Sequence, residues 1–241
     1  MQLATIVLNR LAFGPRPGDI EAFDALGGDD TTRLTAWVDA QLSPAGIDDS
    51  ACEAIIAGSV ISTLGKSLAQ LWTDHHNAPN GGSWIPMLDT RHLKWLKAMH
   101  SRRQLHEVLV DFWQYHFNIH AMDNDHIAIA FMAFDRDCIR ANALGNFRTM
   151  LEAVAKSTSM LVYLDNYSNQ VAGFNENWAR ELRELRTLGV ENYRGVRDPL
   201  SVPIGPDGVA IGYVDDDVFE TAACFTGWTW PATPSPRART R

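Results

Sequence analysis

Along this chain apolar residues recur at steps of three and four far more often than at alternate positions, a pattern that predicts helices rather than strands. The strongest run is Ser101 to His120, where Leu105, Val108, Leu109, Phe112, Trp113, His116, Phe117 and His120 share one helical face. Ser101 is the expected N-cap, and Arg102, Arg103, Gln104, Glu107, Asp111, Gln114 and Tyr115 fall mostly on the opposite side. This helix is expected at the centre of the fold. Ahead of it, Leu3 to Leu11 reads as a short helix closed by the FGPRPGD turn, Asp19 to Leu26 as a second, and Thr31 or Thr32 as the cap of a third through Trp37, Val38 and Leu42.

Ala51 to Trp72 keeps helical spacing at Ile55, Ile56, Val60, Leu64, Leu68 and Leu71, but Gly58 and Gly65 weaken it as one helix. The turn residues from His75 to Ser83 predict a loop, and Asp89 or Thr90 then opens a helix that buries Leu93, Leu96 and Met99. Beyond His120 the pattern gives a loop to Asp125 and a helix through Arg140, then helices at Phe147 to Lys156 and around Met160 to Leu164. Asn175 caps a helix that Gly189 stops. Seven prolines and glycines between Gly195 and Gly212 predict a long loop or small hairpin, after which Asp215, Asp216 and Asp217 supply the negative first turn of a last helix through Trp228. The expected fold is all-α, a single-domain bundle of roughly eight to ten helices over residues 1–230. The Pro- and Arg-rich stretch 231–241 is read as disordered.

Composition narrows the function classes. The chain has 241 residues, 46% hydrophobic and 21% charged, ordinary for a globular protein. A net charge of −8 argues against a phosphate-binding surface, so nucleic acid is not an expected partner. Cys52, Cys138 and Cys224 stand in no metal-ligand spacing and read as buried free thiols. The start lacks a basic n-region and a small-residue cleavage site, and no window approaches the roughly 18 apolar residues of a membrane span. As written, a soluble cytoplasmic chain is expected.

Two stretches carry candidate chemistry. His116 and His120 stand at i and i+4, the spacing that lets two imidazoles reach one metal ion from a single helical turn. The zinc-protease pattern would need Glu at position 117, which here is Phe117. In NENWARELRELRTLGV, Asn177, Arg180, Glu181 and Glu184 step along one face, Glu176 and Arg180 form an i,i+4 pair, and Trp178, Leu182 and Leu185 are expected in the core. Partly buried carboxylates beside histidines could ligate a divalent metal ion or move protons. His116, His120 and Glu181 are the metal-ligand candidates. The same residues also admit a structural reading, in which salt bridges merely order the helix. His75, His76, Asp165 and Asn166 sit in polar loops and are weaker candidates. No G-x-S-x-G and no phosphate-cradling glycine loop occurs.

Five stretches in order, LNRLAFGPRPGD, RRQLHEVLVDFWQYHF, ALGNFRTMLEAVAKSTSMLVYLDNYSN, NENWARELRELRTLGV and YVDDDVFETAACFTGW, resemble the bacterial proteins grouped as domain of unknown function 1800. The resemblance covers most of Leu8 to Trp228 and implies a mostly helical fold. It also implies relatives that are commonly exported, about twice as long, and encoded beside a second uncharacterised family. The change of character after Trp228 looks like a truncation, and Arg186 stands where many relatives have His or Phe. The family's patterns fall here on Trp113, His116, Asn175, Glu176, Asn177, Arg180, Glu181, Glu184, Asp216 and Asp217.

Two functions follow as expectations. One is a hydrolase acting on a small-molecule substrate, an ester or lactone among the candidates. In it His116, with His120, Glu181 and Glu184, holds a metal or activates water while Arg180 or Asn177 steadies an oxyanion. It requires the helix carrying His116 to meet the helix carrying Glu181 and Glu184. The other is a non-catalytic scaffold or assembly partner of another protein, in which these polar residues hold helices in register.

Overall fold

The computed structural model describes residues 2–230, so the expectation of disorder for 231–241 lies outside the described residues. The described chain is all-α. Isolated bridges at Gln170–Gly173, Tyr193–Tyr213 and Ile204–Ala210 are its only β pairing. No helix among the described residues is long and apolar enough to cross a membrane. The chain divides into two compact units, Met1–Ala153 and Val154–Arg241.

The first unit opens with α1 (Leu3–Leu11), α2 (Asp19–Asp24) and α3 (Asp30–Leu42). Ala4, Val7 and Phe23 form their core, flanked by Leu3, Leu11, Ile20 and Trp37. The cap of α3 is Asp29, whose side chain accepts from Thr32 N at 3.0 Å, so the expected threonine cap moves two or three residues back. The Ala51 to Trp72 stretch breaks as its glycines suggest, into α4 (Ser50–Ala57) and α5 (Leu68–His75). A reciprocal Ser67–Gln70 capping box starts α5.

Next, α6 (Ile85–His100) begins four or five residues earlier than expected. Asp89 therefore does not open it but is an interior residue, buried and turned onto the neighbouring loop. Helix α7 spans Gln104–His116, shorter at both ends than the expected Ser101–His120. Ser101 is fully buried instead, its Oγ donating to Asp49 at 2.8 Å and accepting from Arg103 N at 3.0 Å.

The element most deeply packed is not α7 but α8 (Asp125–Ala133), which lies against α5 and α6. Its Ile127 to Ala130, Met132 and Ala133 are all buried, and Ile129 and Met132 join Cys52, Ile56, Leu71 and Leu93 in the main core. A segment apolar all round has no solvent face to spend, and so takes the centre. Its helix continues as a π-helical turn, Phe134–Ile139, and a short 3-10 turn, Arg140–Asn142.

α9 (Phe147–Lys156) runs from the first unit into the second. The second unit holds α10 (Thr158–Tyr163), α11 (Asn177–Glu181) with a π-helical continuation Leu182–Thr187, and α12 (Asp215–Cys224). Its core is Ala179, Tyr213, Val218 and Ala222. Gly189, at φ 89°, ends the π-helical segment in a conformation that favours glycine. The long loop before α12 is present, built of short 3-10 turns and the bridges named above. Cys52 and Cys138 are buried as expected, whereas Cys224 is exposed at the end of α12.

Candidate functional site

The strongest constellation in the first unit is a buried charge cluster that the periodicity of α7 hides. Glu107, expected on the polar side, is buried, and so is Gln104. Arg140 donates to Glu107 Oε2 at 2.7 Å through Nη1 and to Asp135 Oδ2 at 2.6 Å through Nε. Gln114 donates to the other oxygen of Asp135. Around Glu107, His106 Nδ1 lies 3.5 Å from Oε1, and His106 Nε2 meets the Arg140 carbonyl at 3.1 Å.

The π-helical turn makes this cluster. In an α-helix, at 3.6 residues per turn, side chains five apart point roughly 140° away from each other. The wider turn over Phe134–Ile139 brings Asp135 and Arg140 to one side, where they pair.

One guanidinium shared by two buried carboxylates splits their titration. Burial works against the Glu107 carboxylate, but the bonds from His106 and Arg140 outweigh it and hold its carboxyl below the ordinary value of 4.5. Asp135, wholly buried, is pushed upward by desolvation, with Arg140 opposing. Because the folded pKa of Glu107 is depressed, its stabilisation is present above about pH 4.5 and is lost as pH falls through the folded value. Denaturation midpoints measured from pH 7 down to 3 are expected to drop below pH 4.5, and to drop less steeply in Glu107→Gln. Parallel profiles would contradict this.

Gln114 links the cluster to the surface. It lines a cleft of about 480 Å³ together with Lys94, Asp111, Phe112, Tyr115 and Phe131. A neighbouring cleft of about 320 Å³ shares Lys94, Gln114 and Phe131. Lys94 and Asp111 pair on this wall.

The histidines singled out by spacing do not share one continuous helix. His116 is the last residue of α7, half-buried among Phe112, Trp113, Phe117 and Phe147, with ring centroids 4.7–6.4 Å away. The backbone leaves the helix at Phe117, and His120 lies exposed in a turn where its carbonyl accepts from Asp123 N. The i,i+4 argument needs a continuous helix, and α7 does not supply it. Among the described residues no group of three or more His, Cys, Asp or Glu side chains is gathered to hold a metal ion.

In the second unit the acidic and basic candidates do come together, around Arg180. Its guanidinium donates to Glu176 Oε2 at 2.7 Å, to Asp215 at 3.3 Å and to Glu184 at 3.5 Å. Tyr193 Oη donates to the same Asp215 oxygen at 2.6 Å. The bond to Glu176, ahead of that to Asp215, raises the Arg180 pKa, while the Tyr193 hydroxyl and Arg180 draw the Asp215 carboxyl down. Asn177 donates to the Leu164 carbonyl at 3.4 Å and its backbone N–H to Asn175 Oδ1 at 3.1 Å. Glu181 is half-buried and acts electrostatically on Arg186. Arg186 is itself buried, and desolvation lowers its pKa. Trp178 is in the core as expected, but Leu185 is 55% exposed, because the π-helical turn rotates it off the apolar stripe.

Of Asp216 and Asp217, only Asp217 caps, accepting from Val214 N at 2.8 Å. Asp165 is exposed, whereas Asn166 is buried, donating to the Phe225 carbonyl at 3.4 Å, rather than open in a loop. His75 is likewise buried, its Nδ1 2.9 Å from the Gly82 carbonyl. Sequence reading missed Glu107, Asp135 and Arg140. For Asp135 and Arg140 the one signal was the charged DRDCIR string inside an otherwise apolar run, and Glu107 had none.

A family model described as protein of unknown function (DUF1800) matches residues 6–241. The match extends past Trp228, where the motif resemblance stops, through residue 241. No curated protein and no solved structure matches the chain.

Proposed function

Since the chain belongs to the DUF1800 family, whose description assigns no activity, we propose from its own side chains that it is a non-catalytic helical assembly module. The observation that carries this reading is the occupancy of Arg180. A hydrolase site would ask this guanidinium to steady an oxyanion. Its donors instead face Glu176, Glu184 and Asp215, so α11 is tied to the first residue of α12 and to Tyr193 in the long loop. Asn177, the other oxyanion candidate, bonds to backbone. Arg140 is likewise held between Glu107 and Asp135, through Nε and Nη1. Charges committed to several fixed partners hold helices in register and leave little capacity for a substrate. The surface that favours a partner is the outer wall of α7, where Phe112 and Tyr115 are 54% and 86% exposed beside the cleft.

The test pairs stability with turnover. Arg180→Met should lower unfolding free energy by about 1–3 kcal/mol, the range for losing hydrogen bonds to charged groups. Purified wild-type protein should not turn over chromogenic esters or lactones, with or without chelator. Chelator-sensitive hydrolysis abolished by His116→Ala would overturn the assembly reading in favour of a metal-dependent hydrolase using His116, Glu181 and Glu184.

A further inference from the structure

Two imidazoles that neither charge cluster uses meet where the end of α5 faces the start of α8. Helix α5 stops at His75, and His76 leaves it in extended backbone, φ −68° and ψ 126°, with its N–H closing on the Trp72 carbonyl at 2.9 Å. That exit folds the His76 ring back over Trp72, where the two stack with centroids 4.1 Å apart and planes 14° from parallel. His126 stands in the first turn of α8, fixed by the Asn124 cap, whose Oδ1 accepts from Ile127 N at 3.1 Å. Its ring lies 5.1 Å from that of Trp72 and 5.8 Å from that of His76.

We propose that His76 and His126 together form a binding site for one divalent transition-metal ion of the nickel or zinc class, its remaining positions filled by water. The geometry comes first. With an ion about 2.0–2.1 Å beyond each ligating nitrogen, two imidazole centroids that share it lie roughly 5–6.5 Å apart. The observed 5.8 Å falls in that range. Trp72 touches both rings, so neither side chain has to be ordered from a free state when the ion arrives, which removes part of the entropic cost of binding. Both imidazoles are half-buried rather than sealed, and a hydrated ion can reach them.

The ligand chemistry selects the class. Neutral imidazole suits zinc, nickel and copper, whereas magnesium and calcium require oxygen ligands. His75, next in sequence, is left out of the set because it is buried, whereas His76 and His126 are half-buried; its Nδ1 meets the Gly82 carbonyl. With two protein ligands the site is an open, exchangeable one, distinct from the four-ligand structural zinc site. It is also separate from His116 and from the Arg180 cluster, and does not depend on the assembly reading.

Trp72 provides the readout. Adding Ni2+ to the full chain should produce a saturable loss of tryptophan emission and a rise in thermal midpoint, since an ion that binds only the folded state stabilises it. Mg2+ should produce neither. His76→Gln and His126→Gln should each weaken Ni2+ binding by at least about tenfold, a lower bound set by the loss that disturbing even an outer partner of a metal ligand causes. Trp72→Phe should keep the metal-dependent rise in midpoint while losing most of the quench. A wild-type protein that does not respond to Ni2+ would overturn the proposal. So would histidine variants that titrate like wild type, which would move the ion to another group such as the exposed Cys224.

Discussion

Arg140→Met is expected to lower the unfolding free energy of the protein by about 3–5 kcal/mol, the usual consequence of removing one partner from a buried ion pair. The guanidinium carries hydrogen bonds of 2.7 and 2.6 Å to Glu107 and Asp135, whose side chains are 4% and 1% exposed. Without it two carboxylates face each other away from water, and each must take up a proton or draw solvent inward. Met keeps most of the aliphatic volume, so the loss reports charge rather than a cavity. Adding Glu107→Gln and Asp135→Asn to Arg140→Met should restore part of the stability, because a cluster with no charge left has little desolvation to oppose it. Urea unfolding followed by far-UV circular dichroism reads both. A loss under 1 kcal/mol in the single variant would show the cluster to be well solvated.

A second large effect is expected at Asp89. Its Oδ2 accepts from Ser62 N at 2.8 Å, Ser62 Oγ at 3.3 Å, Thr63 N at 3.1 Å and Thr63 Oγ1 at 2.9 Å. One carboxylate oxygen thereby gathers the connection between α4 and α5 onto α6. Thr63 is fully buried, so Asp89→Ala strands at least one buried donor that no solvent reaches. Stranded polar groups cost about 1–3 kcal/mol each, and hydrogen bonds to a charged acceptor lie at the upper end. We expect a loss of about 2–4 kcal/mol on that basis. Asp89→Asn keeps an acceptor oxygen and should lose clearly less. Amide exchange at Ser62 and Thr63 should speed up in Asp89→Ala before exchange in α8 does. Equal acceleration across the unit would place the damage elsewhere.

Neither residue's role was legible in the sequence, whereas much of the helix layout was. Helices α1, α2, α3 and α9 appear close to their expected spans, because each has an apolar stripe of helical period and a local stop made of Pro, Gly or a capping residue, while α12 starts where expected but ends at Cys224, short of Trp228. The breaks at Gly58 and at Gly189, and the loop to Asp125, were local decisions as well. The i,i+4 pair of Glu176 and Arg180 is legible for the same reason, since both partners lie on one turn of one element.

What the tertiary structure decided was every feature that depends on a partner distant in sequence. A carboxylate at position 89 reads as the start of a helix until Ser62 and Thr63 are found beside it, 27 and 26 residues away. Glu107 reads as a solvent-facing charge until Arg140 arrives from 33 residues on. Asp135 and Arg140 are set apart by α-helical geometry, and only the widened turn, which amphipathic period does not encode, brings them together. The early end of α7 at His116 leaves His116 and His120 without the continuous helix that the spacing argument assumed, and the end of α5 brings His76 near His126, which spacing could not suggest. By itself the sequence determined the helical class and most helix positions, because hydrophobic period and end signals act within a few residues. Which polar groups are buried, and with which partners, was settled by packing, because desolvating a charge is tolerated only where another element brings the group that compensates it.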